Sequence, residues 1–273
     1  MHGIRDAGFW THKIARKVLA MGQVPPRIYA SETAKYGYFP MVPFLLPSRR
    51  RQKVEWLMDQ YVEAKSLYPN ATFSYVGHSH GTYLLANAVE NYRACRFDHV
   101  VFAGSVVRKS YDWLRAIRRK QIKTVLNYVA TADWVVAWFP GALEELRLQD
   151  LGTGGHNGFT QARFVNGKSV GPVYERRYIR GSHGAALAEE NWEDIAYFAV
   201  NGKPAKMSDQ IVGKHRHWLV VGVGWVAPAV WIIAIALVAL GGCGIWLIPT
   251  HEWAKTLAIV IYAMGVWRVL TWL

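Results

Sequence analysis

A serine placed between two glycines is the residue pattern in this chain that most directly suggests chemistry. Gly77, Ser79 and Gly81 form a Gly-x-Ser-x-Gly element. A short β-prone run at 71–76 precedes it, and a stretch with apolar residues at helical spacing, 82–92, follows it. At a sharp turn between a strand and a helix the serine adopts a strained backbone, and neighbours without side chains leave room for it. The pattern predicts an exposed serine nucleophile, and a glycine-rich turn between packed elements is the alternative.

A serine hydroxyl becomes a good nucleophile only when a base takes its proton, and that base needs an acidic partner to fix its tautomer. Asp133 follows a predicted strand at 122–129, and His183 follows a predicted strand at 173–179. Because the carboxyl ends of parallel strands meet at one edge of a sheet, we expect both side chains beside Ser79. The alternatives are a helix cap or loop carboxylate for Asp133 and a solvated turn for His183.

Other histidines compete for the role of base. His156 lies in a glycine-rich segment at 152–158, expected to be a loop, and it could line the pocket or act as the base. We prefer His183 because a predicted strand precedes it and a predicted helix follows it, which would hold the ring more firmly. His78 and His80 flank the serine, where adjacent side chains diverge, so we expect them to shape the turn.

Acyl transfer builds up a negative oxygen, so hydrogen-bond donors must already point at it. The backbone N–H of His80, the residue after the serine, would supply one donor. His2 and Gly3 have the form of an early loop that supplies a second donor, from the N–H of Ile4. An ordinary start of the chain is the alternative interpretation of these residues.

The elements around these residues alternate between strands and helices, which predicts an α/β fold with a mostly parallel sheet covered on both faces. An aromatic, proline-punctuated loop at 36–46 could accept an acyl chain. Helices are predicted at 9–21, 48–68 and 189–200, a basic helical or irregular stretch at 110–120, and further strands at 27–30 and 99–103.

Apolar residues are concentrated late in the sequence, where the run 218–240 carries no charge and the chain stays uncharged to residue 248. About 20 such residues span a bilayer, so the run predicts a transmembrane helix, with a buried core helix as the alternative. A second run at 256–273 has Arg268 as its single charge, placed where the side chain can reach the interface. The two runs predict a transmembrane hairpin, although the first crossing is the better founded.

A polar stretch at 201–214 marks the change from globular to membrane composition. We therefore expect a globular domain at 1–210, a basic juxtamembrane linker at 211–217 and the hairpin at 218–273. Positive charge beside a span stays on the cytoplasmic side, so the globular domain is expected to face the cytoplasm. The sequence shows no secretory leader, which agrees with that placement.

The net charge of +13 suggests an anionic partner. Basic clusters at 49–51, 115–123 and 176–180 would suit anionic lipid headgroups beside a tethered domain. Nucleic acid is the rival partner, but the sequence contains no nucleic-acid-binding motif, so we expect no such binding. Cys95 and Cys243 are the two cysteines, too few for a disulfide framework or a cysteine zinc site, and we expect neither a metal nor an organic cofactor.

These motifs resemble those of the α/β-hydrolase superfamily of serine esterases and lipases, over roughly residues 1–200. The resemblance rests on the His-Gly pair at 2–3, on the turn at 77–81, and on the strand-end residues Asp133 and His183. The turn is its strongest motif, and the others are short and positional.

The resemblance implies a reduced α/β-hydrolase fold that needs no cofactor. In the family an apolar strand precedes the His-Gly pair, whereas here a single residue does. Either the chain begins upstream, the fold is reduced, or another element takes the place of this strand. The difference from the family affects the assignment of the oxyanion donors more than that of the triad. The residues implied are Ser79, Asp133 and His183 for the triad and Ile4 and His80 for the oxyanion hole.

The sequence as a whole predicts a membrane-anchored serine hydrolase that cleaves carboxylic esters of lipids or other amphiphiles through an acyl-enzyme. Thioesters and amides share the same intermediate and stay open as substrates. Two alternatives of a different class are a non-catalytic, hydrolase-like membrane binding module and a membrane-active effector that works through its hairpin. The oligomeric state is open.

Overall fold

Parallel strands form the sheet that positions the rest of the chain. The structure is a computed structural model, and it describes residues 1, 9–22, 44, 46–146, 149–205, 213 and 215–272. The strands are β1 (Tyr75–His78), β2 (Phe97–Ala103), β3 (Ile122–Ala130), β4 (Arg163–Val165), β5 (Lys168–Val170) and β6 (Val173–Ile179). Over the described ranges, four strands form one parallel sheet in the order β1, β2, β3, β6, and β4 and β5 form a separate antiparallel pair.

Helices follow the strands and cover both faces of this sheet. The predicted α/β architecture with a mostly parallel sheet is therefore confirmed. The helices are α1 (Phe9–Met21), α2 (Pro47–Leu67), α3 (His80–Asn91), α4 (Trp113–Arg118), α5 (Trp134–Glu145), α6 (Gly154–Asn157), α7 (Trp192–Asn201), α8 (Trp218–Leu247) and α9 (Glu252–Trp272).

The two faces of the sheet bury different apolar clusters because successive side chains of a strand point to opposite faces. Val100 and Phe102 of β2 belong to a cluster with residues of α2 and α3. Val101 and Ala103 of the same strand belong to a second cluster with residues of α1 and α7. The sheet is thus packed on both sides, which fixes the positions of its strand ends.

Several elements differ from the sequence expectations. The strand expected at 71–76 lies at Tyr75–His78, because Gly77 pairs with Phe102 and so continues the strand instead of ending it. Helix α5 was not predicted, since Pro140 interrupts its apolar pattern, and the loop expected at 152–158 contains the helical turn α6. The strand expected at 27–30 and most of the loop at 36–46 lie outside the described residues.

Met1 lies along the outer side of β1, the edge strand of the described sheet. Its amino nitrogen donates a hydrogen bond to the Val76 carbonyl at 2.8 Å, and its own carbonyl accepts one from His78 N at 3.1 Å. The backbone at residue 1 therefore occupies the place beside β1 where a further strand of the sheet would pair.

Helix α8 is 30 residues long, and its apolar side chains are largely uncovered. Since only 6% of its most apolar window is buried, the alternative of a buried core helix is wrong. By length and composition it could cross a membrane, and it is the one helix in the described part of the chain that meets both conditions. Helix α9 packs beside it, with the Tyr262 hydroxyl donating to the Val238 carbonyl at 2.9 Å. A second crossing and the side on which the globular part lies stay predictions.

Candidate active site

Ser79 stands at the sharp turn between β1 and α3. Its backbone has φ 52° and ψ −120°, a conformation that residues with a side chain rarely adopt and that costs about 1–3 kcal/mol. The surrounding bonds hold this turn, because Ser79 N donates to the Ala103 carbonyl at 3.0 Å and the Thr82 hydroxyl donates to the Ser79 carbonyl at 2.6 Å. A Cβ at Gly77 would lie 2.7 Å from the Tyr75 ring, so glycine is required there. The strained backbone expected from the sequence is present, but the serine is not exposed as the pattern predicts, because Ser79 is buried.

Asp133 begins helix α5 and is fully buried. Its Oδ1 accepts a hydrogen bond from Val136 N at 3.0 Å, which caps the helix, so the capping role offered as an alternative is real. The same carboxylate meets the ring of His183, whose Nδ1 lies 3.0 Å from Oδ1 and 3.1 Å from Oδ2. Asp133 therefore serves the helix and the histidine together.

The pKa of Asp133 lies below its ordinary value. Burial alone would raise this pKa, but the His183 ring, the Val136 N–H and the nearby His156 favour the ionised carboxylate and outweigh it. An ionised carboxylate beside Nδ1 favours the tautomer in which Nδ1 carries the proton, which leaves Nε2 free to accept one.

The ring of His183 lies at the carboxyl end of β2, against Gly104. Gly104 has φ +53°, and a Cβ there would come within 2.7 Å of the His183 Cε1 atom. The same ring packs on His78, with 4.9 Å between ring centroids. Since Gly104 follows Ala103, whose carbonyl binds Ser79 N, the imidazole lies at the strand ends that hold the serine turn. No hydrogen bond joins Ser79 Oγ to His183 among the residues that the structure describes.

His156, the rival base, is also near Asp133 but is held differently. It is buried in α6, whose position is fixed by a 2.7 Å hydrogen bond from Gly155 N to the Ser105 carbonyl. Burial and the charge of Arg216 lower the pKa of His156 to about 4, and Asp133 opposes this only weakly. The structure thus brings His183, rather than His156, into hydrogen-bonding contact with the carboxylate.

The other predicted site residues are placed as follows. His80 is the first residue of α3, and the first N–H groups of a helix point out of its N-terminus. The His80 side chain is buried against Phe44 and Tyr83, and that of His78 meets Trp10 edge-on. Ile4, His2 and Gly3 lie outside the described residues.

Sequence reasoning missed two contributors to the site. Gly104 was not singled out, although a glycine directly after the predicted strand at 99–103 is a signal for a backbone turn that only glycine makes easily. Arg216 was assigned only to the basic linker, whereas its guanidinium donates to Asn157 and lies beside His156. A sequence pattern cannot foresee this contact because 59 residues separate the two partners.

A separate open pocket of about 290 Å³ lies between α3 and the loop after β2. Tyr83, Arg108 and Asp150 are among its lining residues, and Ser79, Asp133 and His183 are not. This pocket is therefore separate from the candidate site at the strand ends. Within the described ranges, no group of three or more His, Cys, Asp or Glu side chains is arranged to hold a metal ion.

Comparison of the chain with protein-family models, with curated proteins and with solved structures finds no match. The functional argument therefore depends on the geometry of this chain.

Replacing Gly104 by alanine should destabilise the protein by about 1–2 kcal/mol, because φ +53° disfavours any Cβ and the added methyl group would press on the His183 ring. Gly184→Ala is the matched control, since Gly184 adjoins His183 but has an ordinary φ and open space around it. Denaturant unfolding of the two variants measures the difference. Equal effects would mean that the close approach of Gly104 to the ring is not a constraint.

Acidification should cost the protein stability through His156. The pKa of this histidine is about 4 when folded and about 6.5 when unfolded, so the unfolded chain takes up the proton first as the pH falls. The loss begins below about pH 6.5, grows until about pH 4 and then stays constant, amounting to about 2 kcal/mol at pH 5. His156→Gln should lack this component, which unfolding free energies at pH 7 and pH 5 would measure. An identical pH dependence in both proteins would contradict the buried neutral state.

Proposed function

We propose that this chain is a membrane-anchored serine hydrolase of reduced α/β-hydrolase architecture that cleaves carboxylic esters through an acyl-enzyme. The observation that carries the proposal is the contact of His183 Nδ1 with both oxygens of the buried Asp133, at 3.0 and 3.1 Å. A solvated turn histidine has no need of such a partner. Here the pair lies at the same sheet edge as a serine held at φ 52° between a strand and a helix.

In the proposed reaction Ser79 Oγ attacks the acyl carbon while His183 Nε2 takes its proton. The imidazolium that forms is stabilised by Asp133, whose lowered pKa keeps it ionised at neutral pH. His183 then gives the proton to the leaving alcohol oxygen as the carbon–oxygen bond of the tetrahedral intermediate breaks. Water, deprotonated by the same imidazole, attacks the acyl-enzyme. The bond between Ser79 Oγ and the acyl carbon then breaks as His183 returns the proton to the serine, and the carboxylic acid leaves.

The negative oxygen of the tetrahedral intermediate needs donors that are already oriented. The N–H of His80 is suited to this role because it opens α3 and is next to the serine. Ile4 stays the proposed second donor.

The proposed substrate is a lipid or another amphiphile, because the enzyme is tied to a surface that presents such esters. Helix α8 supports the anchor, since a 30-residue apolar helix left uncovered in water would be strongly unfavourable. No cofactor enters the proposed chemistry, because all proton and acyl transfers are carried by protein groups and water.

A non-catalytic binding module is the second candidate, and one observation favours it. In the described residues Ser79 Oγ makes no hydrogen bond to His183, whereas an active serine needs this base. Catalytic hydrogen bonds are often long before substrate binds, so the hydrolase is the better-supported proposal. A module that only binds a ligand would keep the fold but would not react covalently.

Covalent labelling by a fluorophosphonate probe separates the two candidates. The full chain in detergent or vesicles should be labelled at Ser79, and Ser79→Ala should abolish the label. Ser110→Ala is the control, because Ser110 is exposed and lies away from the strand-end site. An absence of label on a folded wild-type chain would favour the binding module.

Kinetics of the triad variants would assign the roles. His183→Ala should lower kcat by on the order of 10⁶, because a serine without its base is a poor nucleophile. Asp133→Asn, which keeps an oxygen for the Val136 N–H but loses the charge, should lower kcat by about 10⁴ with little loss of stability. Loss of activity in His156→Gln together with an active His183→Ala enzyme would reverse the assignment of the base.

A further inference from the structure

Helix α8 leaves the globular part of the chain at the edge of the sheet that carries the candidate site. His217, the residue before the helix, donates its backbone N–H to the Thr131 carbonyl at 2.8 Å. Thr131 directly follows strand β3 and lies two residues before Asp133. The apolar helix could have emerged from any side of the domain, but it begins beside the catalytic carboxylate.

Helix α5, which begins at Asp133, packs directly on the first half of α8. Ala137 of α5 faces Gly224, and the indole N–H of Trp231 donates to the Trp138 carbonyl at 3.3 Å. The Trp231 ring also meets Phe139, with 5.5 Å between centroids. The helix that positions Asp133 is therefore seated on the helix that is apolar enough to cross a membrane.

The tryptophans of α8 indicate where the hydrocarbon would begin. Trp225 and Trp246 are separated by about 31 Å along the helix, close to the thickness of a bilayer core of about 30 Å. Tryptophan favours the two interfaces of a bilayer, so Trp225 marks the boundary on the side of the globular part. The neighbouring Gly224 contacts Ala137 of α5, and Trp134 at the start of α5 is 57% exposed.

Charge at this edge suits anionic headgroups. Arg180 is exposed just after β6, and Arg216 lies beside α6, both near the start of α8. The basic cluster at 115–123 lies at the opposite edge, because it leads into the first residue of β3 and that strand is about 30 Å long. Arg180 and Arg216, beside the candidate site, are therefore the basic residues that could meet a membrane surface together with α8.

From these contacts we infer that the site edge of the sheet faces the bilayer, with Trp134 and the start of α5 in the headgroup layer. The inference rests on the proposed membrane anchor and deepens the proposed function, because it assigns the substrate to esters held in the same membrane. Trp218 lies about 10 Å above Trp225 along the helix, and a headgroup layer is about 5–8 Å deep, so the start of α8 lies just above that layer.

The test is fluorescence quenching in vesicles of zwitterionic and anionic phospholipid that carry nitroxide on a fraction of their headgroups or, in a second set of vesicles, on a fraction of their acyl chains. A polarity-sensitive thiol dye is placed on Trp134→Cys, on Arg180→Cys at the same edge, on Arg118→Cys at the opposite edge, and on Ile235→Cys within α8. The full chain is used with Cys243→Ser, and the buried Cys95 is left in place. Circular dichroism checks that each labelled protein is folded, and Arg180→Cys keeps the test valid if Trp134→Cys is not.

The inference requires that the dyes at 134 and 180 lose most of their fluorescence while the dye at 118 keeps it. A dye at 235 that responds to acyl-chain nitroxide, with dyes at 134 and 180 as bright as that at 118, would overturn the inference and keep the anchor. Failure of the dye at 235 to respond would overturn the anchor and the inference together. None of these fluorescence measurements depends on enzymatic activity. A chain that does not react with fluorophosphonate could still show the expected quenching, so the proposed hydrolase activity and the proposed orientation are tested independently.

Discussion

The buried carboxylate of Asp133 joins the helix that packs on α8 to the ring of the candidate histidine. It ends the connection after the central strand β3, caps the helix that packs on α8, and accepts from the ring of His183. Burying a charge is costly unless the charge is paired and hydrogen-bonded. The Val136 N–H and the His183 ring are the partners that make the buried carboxylate tolerable. The position of the histidine, the start of α5 and the seat of the apolar helix are consequently coupled through one side chain.

A second constraint is the close approach of backbones and rings at the strand ends. The His183 ring lies against Gly104, and α6 lies against Ser105, at distances that leave no room for a side chain. Together with the left-handed conformation of Ser79, these contacts place strain at the edge of the sheet, while the strands below are packed on both faces. A rigid sheet that supports a strained edge is the arrangement expected where a site has to be held ready before its ligand arrives.

The apolar helix α8 and the globular part meet at this same edge. A tether alone raises the concentration of any membrane ester near the protein, but it does not decide which way the domain faces. The contact of α5 with α8 could decide it, because two helices that pack along several turns restrict rotation about the linker. The helix α8 begins close to Asp133, since His217 binds Thr131. Under the proposed function, the orientation of the domain on the membrane would therefore help to select the substrate.

The sequence by itself determined the kind of elements and their order, and it determined which residues could react. The glycine spacing around Ser79, the predicted strands before Asp133 and His183, and the long uncharged run at 218–240 are local signals, set by backbone sterics and by periodicity. The positions of the β3 and β6 strands agree with prediction to within a residue, whereas α5 escaped notice because Pro140 breaks its pattern.

Only the tertiary structure decided which histidine meets Asp133, that Gly104 gives that ring its space, and that α8 packs on α5 beside the site. Each of these depends on strand register and on contacts between residues 50 or more positions apart, and no local pattern encodes such distances. The alternation of side chains can predict a strand. Where the end of that strand lies relative to the end of another strand is set by the packing of all strands and helices together.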